Sequence, residues 1–354
     1  MKRRAADIIG RHEVVRDNRR GVDVCGTRRQ RGRPSGAWFV SASKNIVTPV
    51  ARLSMVVLTD TFATIRRVVG HLTAQTIAGD VEIVVVCPSR EALAFPADAA
   101  AMLARVTVVE GPLLPLGEAR AAAIRAAAAP IVVLGETHAF PASDWAERLV
   151  RSHEGAWQAV SPGMANGNPA TARSWSGFLM DYGRWMAELP AGEIGEPPAY
   201  NASWKRTTLL GLGDRLSLML EPGGPMDPQF VFRGFCHDPA ARVAHLNVAR
   251  PGAWSAERYW GGRLFGARRS RDWSVARRLV YFGGSVLVPM VRFVRTRDAI
   301  AMARRESALP RWTVAAVAAG CALWAVGEAL GYLVGEGAAE ARMSEYELHK
   351  EQYA

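Results

Sequence analysis

The sequence predicts an α/β fold built around a mostly parallel sheet, and two observations carry that prediction. Four short β-branched runs, "LSMVVLT" (53–59), "VEIVVVC" (81–87), "ARVTVVE" (104–110) and "APIVVLG" (129–135), read as strands buried on both faces. Between them, "FATIRRVVGHLTAQ", "EALAFPADAAAML" and "GEARAAAIRAAAA" repeat apolar residues at helical spacing. Strands alternating with helices at this interval imply parallel pairing through right-handed crossovers. Ligands of such open sheets bind where strands end and loops begin. The fourth run ends in "LGETHAFPASDW" (134–145), which sets Glu136 and His138 two positions apart on that edge, just ahead of another helical pattern. For two polar side chains at such a strand end, a functional role outweighs chance.

Composition narrows what this edge belongs to. With 354 residues and 49% hydrophobic content the chain can bury a full core, as one large domain or two. Cys25, Cys87, Cys236 and Cys321 lie far apart without paired spacing, so neither a disulfide framework nor a thiolate zinc site is indicated, and a reducing compartment fits. The net charge of +11 is uneven: residues 1–50 carry +8, residues 258–311 carry +10, residues 312–354 carry −4, and the centre is near −3. A nucleic-acid binder would place a basic face interleaved with aromatics on the folded module, and here the centre is not basic. Residues 1–50 have little periodicity and no apolar signal core; they read as a disordered basic extension or an over-long start of translation.

The run "SMVVLTDTFATIRRVVGHLTAQTIAGDVEIVVV", then "GEARAAAIRAAAAPIVVLGETHAFPASDW", "YNASWKRTTLL" and "DPAARVAHL", resembles successive landmarks of family 2 glycosyltransferases with the GT-A fold, over roughly residues 51–250. The resemblance implies transfer of a sugar from a nucleotide-activated donor, with a divalent cation (Mn2+ or Mg2+) holding the diphosphate. It puts Glu136, Thr137 and His138 on the family's Asp-x-Asp motif, so that this chain has Glu-x-His; a carboxylate and a neutral imidazole can both ligate manganese, whereas magnesium would favour the carboxylate alone.

Other roles follow from the same resemblance. Thr59, Thr61 and Arg120 join Glu136 on the donor side, Arg120 by meeting phosphate bidentately. The second strand runs into Cys87, Pro88, Ser89 and Arg90 where the family has acidic base- or ribose-binding residues, so base recognition differs here. An inverting transferase needs a base for the acceptor hydroxyl; Glu221 fits best by spacing and Asp227 second, although "EPGGPMDPQF" departs from the family pattern. Asn201, Trp204, Lys205 and Arg206 fall on the acceptor side, with ordinary packing the alternative for Trp204. His245, closing "ARVAH", is either a third metal ligand or a hydrogen-bonded structural histidine.

Beyond residue 250 arginines interleave with Trp, Tyr, Phe and Leu through "RYWGGRLFGARRSRDWSVARRLVYFGGSVLVPMVRFVRTR", which fits an interfacial segment on an anionic membrane, or else a solvated helix face. Its apolar piece "LVYFGGSVLVPMV" is short, and Gly283, Gly284 and Pro289 are expected to break it. Residues 313–335, with only Glu328 charged, are long enough to span a bilayer, or form a buried or interfacial helix. Arginines ahead of that stretch and an acidic tail behind it would hold the catalytic domain in the cytoplasm, at a bacterial inner membrane.

The expected organisation is a disordered extension (1–50), a GT-A domain (51–250), an Arg/aromatic interfacial segment (251–311) and a transmembrane helix with acidic tail (312–354). The expected activity is a membrane-associated glycosyltransferase acting on a saccharide or lipid-linked acceptor. A nucleotidyltransferase should carry a glycine-rich, lysine-containing loop after its first strand, and "TDTFATIRR" is not one. The rival from another class is a membrane-anchored binding or scaffold protein with impaired catalysis.

Overall fold

The computed structural model describes residues 38–42, 50–221, 224 and 230–354. Its strands are β1 (Phe39–Ala42), β2 (Leu53–Leu58), β3 (Val81–Cys87), β4 (Arg105–Glu110), β5 (Ile131–Leu134), β6 (Ala139–Pro141), β7 (Ala159–Asn166), β8 (Gly192–Ile194), β9 (Ser203–Lys205) and β10 (Phe235–His245). They form one sheet in the order β1-β4-β3-β2-β5-β9-β7-β10-β6, with β8 paired to β10. The four predicted runs pair in parallel, and β10 runs parallel to β7. One strand falls inside the expected disordered extension: β1 adds to β4 antiparallel, closing the sheet edge that β4 would otherwise expose.

The helices are α1 (Phe62–Thr73), α2 (Arg90–Leu93), α3 (Ala97–Met102), α4 (Leu116–Ala126), α5 (Trp145–Ser152), α6 (Ala172–Asp181), α7 (Arg206–Leu210), α8 (Leu216–Met219), α9 (Pro251–Arg269), α10 (Val275–Gly284), α11 (Val288–Glu306), α12 (Thr313–Val334) and α13 (Ala339–His349). Strand alternation divides them between two faces. Leu53, Met55, Val57, Ile83 and Val85 face one core with α1, α5 and α6, while Val56, Leu58, Val84 and Val86 face the other with α4, α7 and α8. Both faces are covered, which is why the runs are apolar throughout instead of alternating. At the far end of the sheet from the candidate site, the buried Glu82 carboxylate accepts from Ser54 Oγ (2.5 Å), Thr107 Oγ1 (2.6 Å) and the Ala128 amide (2.7 Å), tying β2, β3, β4 and the entry to β5 together.

The C-terminal third departs from expectation in two ways. Gly283, Gly284 and Pro289 do not break the helix: α10 passes through a 3₁₀ turn at Ser285–Leu287 into α11, a continuous helical stretch over Val275–Glu306. Pro289 sits in the first turn of α11, directly behind the 3₁₀ turn, a position where proline's fixed φ suits the helix. Second, α9 and α12 are part of the folded body. Val317 and Cys321 of α12 enter the same core as β2 and β3. The two helices touch backbone to backbone, because a Cβ on Gly262 or Gly266 would strike the Trp324 or Glu328 carbonyl, and one on Gly327 or Gly331 would strike that of Tyr259 or Arg263. Glycines of 313–335 therefore form a packing seam with α9.

Stretches 275–306 and 313–334 are both long and apolar enough to cross a membrane by length and composition, which is weak support for membrane association. The face presented by α10 and α11 is apolar and exposed at Leu279, Val280, Phe282, Val286, Leu287 and Met290.

The seam generates a prediction. Gly327→Val should cost at least about 2 kcal/mol, since a branched side chain must push two backbones apart. Gly252→Ala, in the first turn of α9 with open space around it, should be nearly neutral. Thermal unfolding of both variants in detergent checks the contrast.

Candidate functional site

Three strands deliver the site. β5 ends at Leu134 and releases Glu136, Thr137 and His138 into the loop that leads to β6. β10 pairs antiparallel with β6 so that His245 lies opposite Ala139, and the Leu246 amide donates to the His138 carbonyl (3.0 Å). Two histidines more than a hundred positions apart thereby become neighbours, their ring centroids 4.8 Å apart. Their Nε2 atoms approach the Glu136 carboxylate at 3.6 Å (His138) and 3.4 Å (His245), and one ligand atom from each residue lies within 4.8 Å of the others.

All three side chains are buried. Burial, then the nearby Lys350 ammonium, hold both imidazoles well below their ordinary pKa, so the histidines are neutral and these separations are not ion pairs. Hydrogen bonding assigns the tautomers. His138 Nδ1 faces the Glu347 carbonyl (3.2 Å), which can only accept. His245 Nδ1 faces Asn247 Oδ1 (3.0 Å), whose orientation is set by Asn247 Nδ2 donating to Asn166 Oδ1 (3.0 Å) and the His245 carbonyl (3.1 Å). With Nδ1 protonated in each ring, both Nε2 lone pairs point at Glu136, and neither Nε2 has a hydrogen-bond partner. Buried polar atoms are rarely left so. Two unpartnered imidazole nitrogens beside a carboxylate, each ring braced through its other nitrogen, form a donor set suited to a divalent transition metal.

Glu136 is held in place by Tyr182 Oη (2.7 Å) and Asn201 Nδ2 (2.6 Å), both donating to Oε2. Asn201 adopts a left-handed backbone conformation (φ 63°), a strain that asparagine tolerates better than most residues. Burial, then repulsion from Glu347, pushes the Glu136 carboxyl up to about 7.

The remaining sequence candidates scatter. Thr59 Oγ1 donates to the Thr61 carbonyl (2.8 Å) and Thr61 pairs with Thr64 (3.1 Å), so both close the loop after β2. Arg120 stays at the strand-end edge, stacked on Tyr200 (4.3 Å) and donating to its hydroxyl (3.0 Å) and the Leu220 carbonyl (3.2 Å). Glu221 lines a small opening with Leu134, Tyr200 and Leu220, its Oε2 taken by Arg268 (2.7 Å) and Arg271 (2.9 Å). Asp227 lies outside the described residues.

Asn201 alone of the four acceptor-side candidates reaches the Glu136 cluster. Strand β9 runs antiparallel to β5, pairing Lys205 with Ile131, so it carries the next residues toward the opposite edge. Trp204 is buried against Phe232 and Phe235, Lys205 bonds the Gly155 carbonyl (2.9 Å), and Arg206 bonds the Ile124 (3.1 Å) and Arg125 (2.9 Å) carbonyls at the end of α4.

Several site residues carried no local signal. Tyr182 and Asp181 end α6; Arg258 of α9 grips Asp181 bidentately (2.9 and 2.8 Å) and also bonds Glu257 (2.8 Å). Lys350, in the 3₁₀ turn after α13, lies buried 3.5 Å from Glu257 and 3.4 Å from Glu347. Burial works against its charge, but Glu347, Glu257, Glu136 and Asp181 outweigh that and raise its pKa.

A comparison with protein-family profiles and with curated proteins returns no match. Among solved structures, the chain is similar to the mannosyltransferase PcManGT from Pyrobaculum calidifontis in complex with GDP-Man and Mn2+ (19% identity, 86% of this chain and 88% of that chain, TM-score 0.42). It is also similar to S. aureus TarS (13% identity, 81% of this chain and 55% of that chain, TM-score 0.42) and to TarS 1–349 in complex with UDP-GlcNAc (13% identity, 82% and 92%, TM-score 0.39).

The raised carboxyl has a signed consequence. Its folded-state pKa of about 7 lies above the ordinary 4.5, so its contribution to stability is full below pH 4.5 and lost as pH rises through 7. In chelator, Glu136→Gln should therefore stabilise the protein at pH 8 by on the order of 3 kcal/mol relative to its effect at pH 4. Unfolding at the two pH values measures it.

Proposed function

We propose that the protein is a membrane-associated, metal-dependent glycosyltransferase that moves a sugar from a nucleotide-activated donor to an acceptor hydroxyl with inversion. The observation that carries this reading is the buried Glu136–His138–His245 group at the strand-end edge, with two unpartnered imidazole nitrogens facing a braced carboxylate. A divalent cation held there would offset the charge that gathers on a departing diphosphate. Two imidazoles in the donor set favour manganese over magnesium.

The chain's own residues divide the remaining work. Tyr182 and Asn201 orient Glu136, and Arg120, fixed on Tyr200, supplies a guanidinium on the donor side. Glu221 is the base candidate among the described residues: it takes the acceptor proton as the hydroxyl oxygen bonds the anomeric carbon and the bond to the diphosphate oxygen breaks. Its two arginine partners must yield for it to do so.

The exposed apolar face of α10 and α11, flanked by Arg277, Arg278, Arg295 and Arg297, supports docking on an anionic membrane and hence a lipid-linked or saccharide acceptor. By charge asymmetry the site would face the cytoplasm at a bacterial inner membrane. A second reading, a binding or scaffold protein with impaired catalysis, is favoured by the two arginines that occupy Glu221.

Titration calorimetry with UDP and GDP tests the proposal. Affinity should rise at least about tenfold with Mn2+ over chelator, since Arg120 alone cannot balance a diphosphate. Glu136→Gln should abolish that gain, while Glu221→Gln should keep binding and lose turnover; equal loss of binding in both would remove Glu221 from its role. Vesicle flotation tests the membrane arm: the protein should float with anionic vesicles and resist release by high salt, because the apolar face remains when charge is screened.

A further inference from the structure

Glu136, His138 and His245 are 6%, 0% and 1% exposed, so no nucleotide reaches them without a rearrangement. Beside them, the opening lined by Leu134, Tyr200, Leu220 and Glu221 holds about 10 Å³, scarcely a water molecule. Much of the cover is the C-terminal segment, α13 and the turn behind it. We infer that residues 339–353 form a strap that holds the donor site closed, and that a nucleotide binds only when the strap lifts; this rests on the donor-site reading above.

The strap crosses the edge where the sheet's ligand would lie. Glu340 accepts from the Leu116 amide (3.2 Å) in the first turn of α4 and pairs with Arg268 (2.8 Å). The Glu347 carbonyl takes the Thr137 hydroxyl (2.8 Å) and His138 Nδ1 (3.2 Å) from the loop after β5. His349 meets Asp60 (3.3 Å) after β2, Glu351 meets Arg67 (3.1 Å), and the Tyr353 carbonyl accepts from the Ala249 and Arg250 amides (2.8 and 3.1 Å).

Its chemistry mirrors what it displaces. Glu340 sets a carboxylate at a helix N-terminus, where a phosphate would be favoured. Lys350 sets an ammonium among Glu257, Glu347 and Glu136, where a metal ion would otherwise supply the positive charge. The attachment is polar: only Ala339 and Ser344 of α13 are buried, so little apolar surface opposes release. Gly335 (φ 75°) and Gly337 (φ 54°) join the strap to α12 with backbone angles that other residues resist, a natural hinge.

The test uses the full chain in detergent and reads backbone hydrogen exchange over 339–353 in chelator, with Mn2+ alone, and with Mn2+ plus UDP or GDP. Exchange of this segment should speed up at least about tenfold with nucleotide while β2 and β3 stay protected. A release variant, Glu340→Gln with His349→Ala and Glu351→Ala, should show the fast exchange without ligand and bind nucleotide about tenfold more tightly, because the closed state no longer competes. Tight nucleotide binding by the wild type with 339–353 still protected would overturn the strap and leave the transferase reading standing. A release variant that exchanges fast yet binds no nucleotide with Mn2+ would overturn the donor-site reading, and the strap's role with it.

Discussion

The burial of the Glu136 carboxylate organises much of what surrounds it. A carboxylate removed from water must find donors, a cation or a proton. Here Tyr182 and Asn201 supply the donors, Lys350 supplies a cation at longer range, and the carboxyl still keeps a raised affinity for its proton. Each partner comes from a different element, so satisfying one charge pins α6, the segment before β9 and the C-terminal turn to the end of β5. The two imidazoles add no charge of their own. They face the carboxylate with lone pairs, which a metal would use and nothing else among the described residues does.

Around this group lies a wider ring of charge. Asp181, Glu257, Glu347, Arg258 and Lys350 share a partly buried network of three carboxylates, in which Arg258 serves Asp181 and Glu257 and Lys350 serves Glu257 and Glu347. Such networks are expensive to bury and punish the removal of any member. Their placement links α9, and through its glycine seam α12, to the candidate site. The apolar helix α12 is thus mechanically continuous, through α9, with the candidate site.

Arg268 makes a similar junction nearer the opening, where it gathers Glu221, Glu336 and Glu340. One guanidinium therefore holds both the base candidate and the root of the strap. On the proposed reading, closing the site and silencing the base candidate share a residue, and an edge that would bind anions is covered by the chain's own carboxylates.

The local parts of this protein were legible in its sequence. Four β-branched runs became β2 to β5 because a strand covered on both faces needs apolar residues throughout, and Glu136 and His138 stood out because polar side chains at the end of such a strand are costly without a role. What could not be read was whatever depends on strands and helices meeting across long separations. His245 reaches His138 only through the β6–β10 pairing, and Trp204, Lys205 and Arg206 turn away only because β9 runs antiparallel to β5. The sequence of 313–335 showed a stretch long enough to span a bilayer, but its packing on α9 through glycines was not legible, since composition cannot say which face of a helix meets another backbone. Lys350 carried no signal at all, because nothing in "HKEQY" marks a lysine whose partners lie on α13, α9, α6 and the loop after β5. Periodicity and strand-end chemistry are properties of neighbouring residues and so belong to the sequence; charge compensation in a buried site is a property of the assembled fold.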